Sequence, residues 1–126
     1  MEQKYIAGDC VRYIGIATPI VVKIDEVREG RLILEFTKGN RSWHLADYSE
    51  IEPVFITPAI LKKNGWKEKD GDYVNENHHL ALCEKCSGYG VYKIIDGQIT
   101  WLMDLEYVHQ LQHLLFGLGL NSDMKI

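Results

Sequence analysis

This chain of 126 residues is 46% hydrophobic and 25% charged, an ordinary balance for a globular protein and enough for one modest core without covalent staples. Its formal charge of −4 is spread evenly, with seven Lys and Arg against nine Asp and Glu in residues 1–56 and the same counts in residues 57–126. Neither half therefore has the basic footprint of a sequence-independent nucleic-acid binder. The N-terminus, MEQKYIAGDC, lacks the apolar run of a secretory leader, and the longest uncharged run, residues 107–122, is too short and polar to span a bilayer. The three cysteines are an odd number. The expectation is a soluble, cytoplasmic protein without a membrane partner, in a reducing compartment where Cys83 and Cys86 stay unbridged.

The first half alternates with the period of a strand. In IVVKIDEV, Ile20, Val22 and Ile24 share one face; in RLILEFT, Leu32, Leu34 and Phe36 do the same. Gly30 between these runs, and Lys38, Gly39 and Asn40 after them, are turn residues. With GDCVRYIG before and RSWHL and SEIEP after, about five short strands fill residues 1–56, the spacing of a small antiparallel barrel. The opening Gly8, Asp9 and Val11 and the ending Ile51, Glu52 and Pro53 resemble an SH3-like barrel, a likeness of fold that says nothing of ligand.

A short helix follows with both ends marked. Thr57 suits the N-cap, Pro58 the first helical position, and Asn64 with Gly65 the stop. Lys62 and Lys63 fall in the last turn, where the helix dipole favours cations; Ile60 and Leu61 face inward and Trp66 packs just beyond. Strands are then predicted at 73–74, 79–83 and 89–95, with another at 98–102 after the turn at Asp96 and Gly97. Asp104 is placed to cap a last helix, LEYVHQLQHLLFGLGL, whose Tyr107, Val108, Leu111, Leu114, Leu115 and Leu118 make one apolar face. His109, Gln110 and Gln112 fall off that stripe, facing outward or reaching neighbouring backbone. The expected fold is α+β: a small SH3-like antiparallel β-barrel over residues 1–56, then an α-β-β-β-α unit over residues 57–126.

The stretch CEKCSGYG, residues 83–90, has the spacing CxxCxGxG and resembles the zinc-binding repeat of the DnaJ-type chaperones. Two thiolates three residues apart can share a tetrahedral ion, but a structural zinc needs four ligands and the repeat occurs here once. His78, His79, His109, His113 or the same loop of a second subunit are the remaining candidates. His79 lies four strand residues from Cys83, a span of roughly 13 Å, unless the chain bends. A tight hairpin turn is the preferred reading. His109 and His113, at i and i+4, sit on one side of the last helix, but Gln110 stands where HExxH metalloproteins carry the general base. Nucleophile-elbow, P-loop and dinucleotide-binding motifs are absent, and carboxylate pairs such as Asp25 and Glu26 read as solvated edges. The aromatics Tyr5, Tyr13, Trp43 and Tyr48 are candidates for a ligand groove on the barrel.

Two further stretches carry a family resemblance. IEPVFITPAILKKNGW, residues 51–66, is similar to a recurrent I-x-P-[IV]-x-[IL]-T-x-x-[IL]-L-x-x-N-G-[FW] segment. YVHQLQHLLFGL, residues 107–118, resembles a YVHQLQ-x-L-[YF] helix downstream of it. Together they resemble a family of small proteins of phages and mobile elements of gut anaerobes. The resemblance implies a fold and a genomic context but no activity, and CxxC is not part of that pattern. The resulting expectation is a non-enzymatic binding or interaction protein of phage or mobile-element origin, with a host protein as target and a homo-oligomer allowed. No catalytic residue, metal or cofactor is assigned, and the binding residues stay open. The alternatives are a zinc-stabilised structural or nucleic-acid-binding module using Cys83 and Cys86, and a small-molecule binder.

Overall fold

The computed structural model describes residues 5–36 and 43–126. Two units follow one another along the chain, Met1–Val54 and Phe55–Ile126. Each is built on a five-stranded antiparallel sheet, and with two helices the chain is α+β.

In the first unit the alternating runs become strands. They are β1 (Cys10–Tyr13), β2 (Ile20–Arg28), β3 (Arg31–Glu35), β4 (Trp43–Asp47) and β5 (Ile51–Pro53), in the order β4-β3-β2-β1-β5. The sheet ends in β4 and β5 rather than closing on itself. Val11, Val22, Ile24, Leu32 and Leu34 supply the centre of its core. A bulge between Ile24 and Glu26 lets β2 depart from strict alternation: Val27, not Glu26, pairs with the inward Leu32 and packs against the core. Ile20, expected on the inner face, is exposed at the start of its strand. Glu29 and Gly30 connect β2 to β3, with Gly30 at φ +73°. The turn expected at residues 38–40 lies outside the described residues, as do Arg41 and Ser42.

The second unit opens with α1 (Pro58–Lys63), as its end signals require. Thr57 Oγ1 accepts from the Ile60 N–H at 3.2 Å. At the other end Gly65 takes φ +86°, the Gly65 N–H bonds to the Lys62 carbonyl and the Trp66 N–H to the Leu61 carbonyl. This is a Schellman stop, and it places Leu61 and Trp66 in the interior.

Five strands follow, one more than the four located by pattern and two more than the expected α-β-β-β-α unit holds. They are β6 (Lys67–Lys69), β7 (Asp72–Asn75), β8 (Leu80–Glu84), β9 (Tyr89–Ile95) and β10 (Gln98–Leu105), forming a meander in the order β10-β9-β8-β7-β6. Strand β6 escapes a hydrophobic pattern because Lys-Glu-Lys has no apolar residue. Strand β10 continues to Leu105, so Asp104 lies in a strand and does not cap the last helix. That helix, α2 (Val108–Gly117), begins later because Gln110 folds back over its first turn. Gln110 Oε1 accepts from the Glu106 N–H at 2.8 Å and from the Tyr107 N–H at 3.0 Å. A second Schellman stop ends α2, with Gly119 at φ +74° and the Leu120 N–H on the Leu115 carbonyl.

The residues after α2 are anchored to both helices. Asn64 donates to the Lys125 carbonyl and accepts from the Lys125 N–H. Gln112 Nε2 donates to the Ser122 carbonyl at 3.1 Å, and Met124 is buried. This return corrects the outward placement of His109 and gives Gln112 the other expected role, a bond to nearby backbone, in place of solvent. His109 and Gln112 are 2% and 3% exposed, beside Val108, Leu111 and Leu115. The polar side of α2 is buried because the chain supplies its own partners there. The Tyr107 ring stacks on His109 at 5.7 Å, and the returning tail meets Gln112.

Candidate functional site

The CxxCxGxG stretch forms the hairpin between β8 and β9, and each glycine of its GxG has a steric reason. Glu84 pairs with Tyr89, and the Lys85 N–H bonds to the Gly88 carbonyl at 3.0 Å, closing a four-residue loop. Gly88 sits at φ +81°, and a Cβ there would lie 2.2 Å from the Leu105 carbonyl oxygen. At Gly90 a Cβ would meet Lys85 Cε at 2.8 Å and the Trp101 ring at 3.0 Å. Without side chains at these two positions the loop lies close to β10. Lys85 then reaches Asp104 at 2.7 Å with its ammonium 5.7 Å from the centre of the Trp101 ring. Ser87 Oγ donates to Glu106 Oε1 at 3.3 Å.

The two cysteines have different settings. Cys83 is half-buried within β8, whereas Cys86 is exposed in the loop. Burial pushes the Cys83 thiol pKa up and the neighbouring Asp72 carboxylate pushes it further, while the thiol donates to the Glu84 carbonyl. A thiol held protonated is a poor nucleophile. Asp72 accepts from the Tyr92 hydroxyl, and burial followed by this bond pushes the Tyr92 pKa up to about 12. Asp72 thus accepts from Tyr92 and lies beside the Cys83 thiol, a structural use of a carboxylate. Among the described residues no three His, Cys, Asp or Glu side chains come together as a metal site.

An open groove of about 390 Å³ runs beside the hairpin, lined by residues 55–58 and 84–89 with Glu106. Its Lys85 is paired with Asp104 and its Glu106 with Ser87, so two of its charged groups are already engaged. The histidines proposed as metal candidates are separated by role. His79 takes a left-handed conformation at φ +57° that ends a 3-10 turn, and its carbonyl accepts from the Ile94 N–H. His109 lies between Tyr107 and His113, whose rings are 5.7 and 5.6 Å away, in a row that begins with Phe55 packed on Tyr107 at 5.2 Å.

In the first unit, the expected aromatic groove is divided between core and surface. Tyr5 and Tyr13 are buried, Tyr48 is half-buried against Tyr5, and Trp43 stands out at 55% exposure. Tyr13 belongs instead to a polar-aromatic cluster with Phe36, His44 and Glu50. Its hydroxyl lies 3.0 Å from His44 Nε2 and donates to Glu50 Oε2 at 3.3 Å. With the hydroxyl proton directed to Glu50, His44 Nε2 is the donor to Tyr13. Burial and then Glu50 raise the Tyr13 pKa, so this cluster too holds its proton.

Two apolar surfaces lie at sheet edges. On β4, Trp43 and Leu45 are both exposed and project to the same side, with Ile33 of β3 opposite Leu45. On β10 every side chain from Gln98 to Asp104 is exposed, including Ile99, Trp101 and Met103. Sequence reasoning marked Trp43 but not this second strip. Its available signal was a strand, residues 98–103, without a single charge. No protein-family model, curated protein or solved structure matches the chain.

Proposed function

We propose that this chain is a non-enzymatic protein-binding module of phage or mobile-element origin, acting in the cytoplasm on a host protein. The observation that carries the reading is Trp43, 55% exposed on edge strand β4 and joined by Leu45 and Ile33 on one face. An exposed tryptophan with aliphatic neighbours is the composition of an interface hot spot, and an edge strand adds backbone groups for a partner. The five-strand order, in which the first strand lies between the second and the fifth, supports the finer reading of an SH3-like barrel. Such barrels commonly bind through surface aromatics. The origin rests on the resemblance of residues 51–66 and 107–118 to proteins of mobile elements.

The test is a comparison of partners. Proteins captured from host cells by the wild-type chain are identified, purified and titrated calorimetrically against wild type and Trp43→Ala. A hot-spot tryptophan predicts about 30-fold weaker binding, the equivalent of about 2 kcal/mol. A purified target that binds both forms equally removes β4 as the site. Failure of every captured protein to bind in purified form removes the reading.

A further inference from the structure

The two edges of the second sheet are built in opposite ways. Strand β6 is three residues long, Lys67, Glu68 and Lys69, all charged and all exposed. Short length and charge are how natural sheets keep an edge from recruiting another strand. Strand β10 is eight residues long and has neither proline nor glycine. It carries no charge from Gln98 to Met103, and Ile99 and Trp101 are 58% and 59% exposed. Among the described residues no strand pairs with its outer side. The one acidic residue within the strand, Asp104, is paired with Lys85 at 2.7 Å.

We infer that β10 is a dimerisation strand, pairing antiparallel with the β10 of a second copy of this chain about a two-fold axis at Thr100. The sequence around Thr100 is self-complementary in that arrangement. Ile99 of one copy lies opposite Trp101 of the other, twice over, and Thr100 lies opposite itself. Aromatic against β-branched and threonine against threonine are both favourable cross-strand pairs. A basic or acidic peptide finds no counter-charge along residues 98–103. A second copy meets only neutral side chains there, despite the −4 carried by each chain. The bulge between Trp101 and Met103 ends the regular run, which confines the pairing to the short stretch around Thr100. The inference concerns a different strand from the proposed host-protein site and does not depend on it.

Sedimentation velocity decides the matter from about 5 to about 500 µM, the range in which small, transient interfaces assemble. Wild type is expected to pass from monomer to dimer, and Ile99→Lys to raise the dissociation constant at least about tenfold. Because Ile99 is exposed, its variant should unfold at the wild-type denaturant midpoint, which the same samples can show. The axis is tested by Thr100→Cys in a Cys86→Ser background under oxidised glutathione. Directly opposed Cβ atoms lie roughly 4.5–5.5 Å apart, near disulfide range, so Thr100→Cys should give a covalent dimer faster than Lys62→Cys on α1. A wild type that stays monomeric throughout, a dimer indifferent to Ile99→Lys, assembly beyond dimers, or equal cross-linking at both cysteines would each overturn the inference. Host-protein binding that survives Ile99→Lys but not Trp43→Ala is the pattern expected if both sites are real.

Discussion

The side-chain amide of Asn64 donates to the carbonyl of Lys125 at 2.7 Å and accepts from the N–H of the same residue at 2.8 Å. The same nitrogen also donates to the Ile60 carbonyl at 2.8 Å, so one residue both ends α1 and holds the tail. Asparagine suits the place because its amide offers a donor and an acceptor side by side. Asn64→Ala loses three hydrogen bonds at a partly solvated site, where each contributes about 0.5–1.5 kcal/mol. The expected outcome is a loss of about 1.5–4.5 kcal/mol in denaturant unfolding, with faster amide exchange concentrated in residues 121–126. Unchanged exchange there would show that Met124 and Gln112 hold the tail by themselves.

Helix α2 allows a graded comparison. Leu111 is fully buried, and Leu111→Ala should cost about 2–5 kcal/mol. Gln112→Ala leaves the Ser122 carbonyl without its donor at a partly buried site and should cost about 1–3 kcal/mol. His109→Ala removes a buried ring from the Phe55, Tyr107 and His113 row and should fall in a similar range, about 1–3 kcal/mol. Phe116→Ala, at an exposed position, should stay within about 0.5 kcal/mol. Urea unfolding of the four variants checks the order; a His109→Ala as mild as Phe116→Ala would return that histidine to the surface.

These two helices also show what was legible in the sequence. Residues 57–66 announce α1 completely, because Thr57, Pro58, Asn64 and Gly65 act on their own backbone neighbours. Alternation revealed Val22, Ile24, Leu32 and Leu34 as core for the same local reason. The outward reading of His109 and Gln112 fails because amphipathic spacing assumes that the polar side of a helix meets water, although Gln112 does reach backbone, the alternative expected for it. Here a tail and an aromatic row, several residues away in sequence, cover it. Strand β6 was missed for want of an apolar residue, and the exposed strip on β10 because alternation identifies strands, not their places in a sheet. The CxxC stretch was read rightly as a turn: its glycines answer to Leu105, Lys85 and Trp101.

That steric account of the hairpin makes two glycine substitutions unequal. Gly88 and Gly97 both have positive φ, at +81° and +79°, but only Gly88 faces a backbone atom. Gly97→Ala carries the conformational cost alone, about 1 kcal/mol. Gly88→Ala adds a collision with the Leu105 carbonyl and should cost at least about 2–3 kcal/mol. Thermal unfolding of the pair measures the difference. Equal losses would mean that the loop moves off β10 without penalty.

The cysteines should separate by protection. Iodoacetamide followed by mass spectrometry should modify exposed Cys86 first, Cys83 slowly because its thiol pKa is raised, and buried Cys10 only on unfolding. The Cys83→Ala/Cys86→Ala double variant should leave zinc content and cooperative unfolding unchanged. Stoichiometric zinc in the wild type, lost together with folding in this variant, would restore the zinc-stabilised reading, since structural zinc contributes folding energy directly.

Tyr92 gives the fold a specific weakness to base. Its phenol is pushed up to about 12 by burial and then by the hydrogen bond to Asp72, against about 10 for an unfolded tyrosine. A group whose folded pKa is raised keeps its proton longer in the native state than in the unfolded one. Its contribution is complete below about pH 10 and is lost as the pH rises towards about 12, where stability falls because the native state binds more protons. Tyr13, Tyr73 and Tyr89 shift in the same direction, each chiefly through burial, so the loss is shared among four residues. Tyr92→Phe should therefore flatten the fall in stability between about pH 10 and about pH 12 without abolishing it. Asp72→Asn removes the carboxylate but not the burial, and should flatten it less. Guanidinium unfolding across that window, with tyrosinate absorbance followed in the same samples, measures both slopes. If Tyr92→Phe loses stability as steeply as wild type, the phenol of Tyr92 already ionises in the folded state, and the Asp72 bond does not hold its proton.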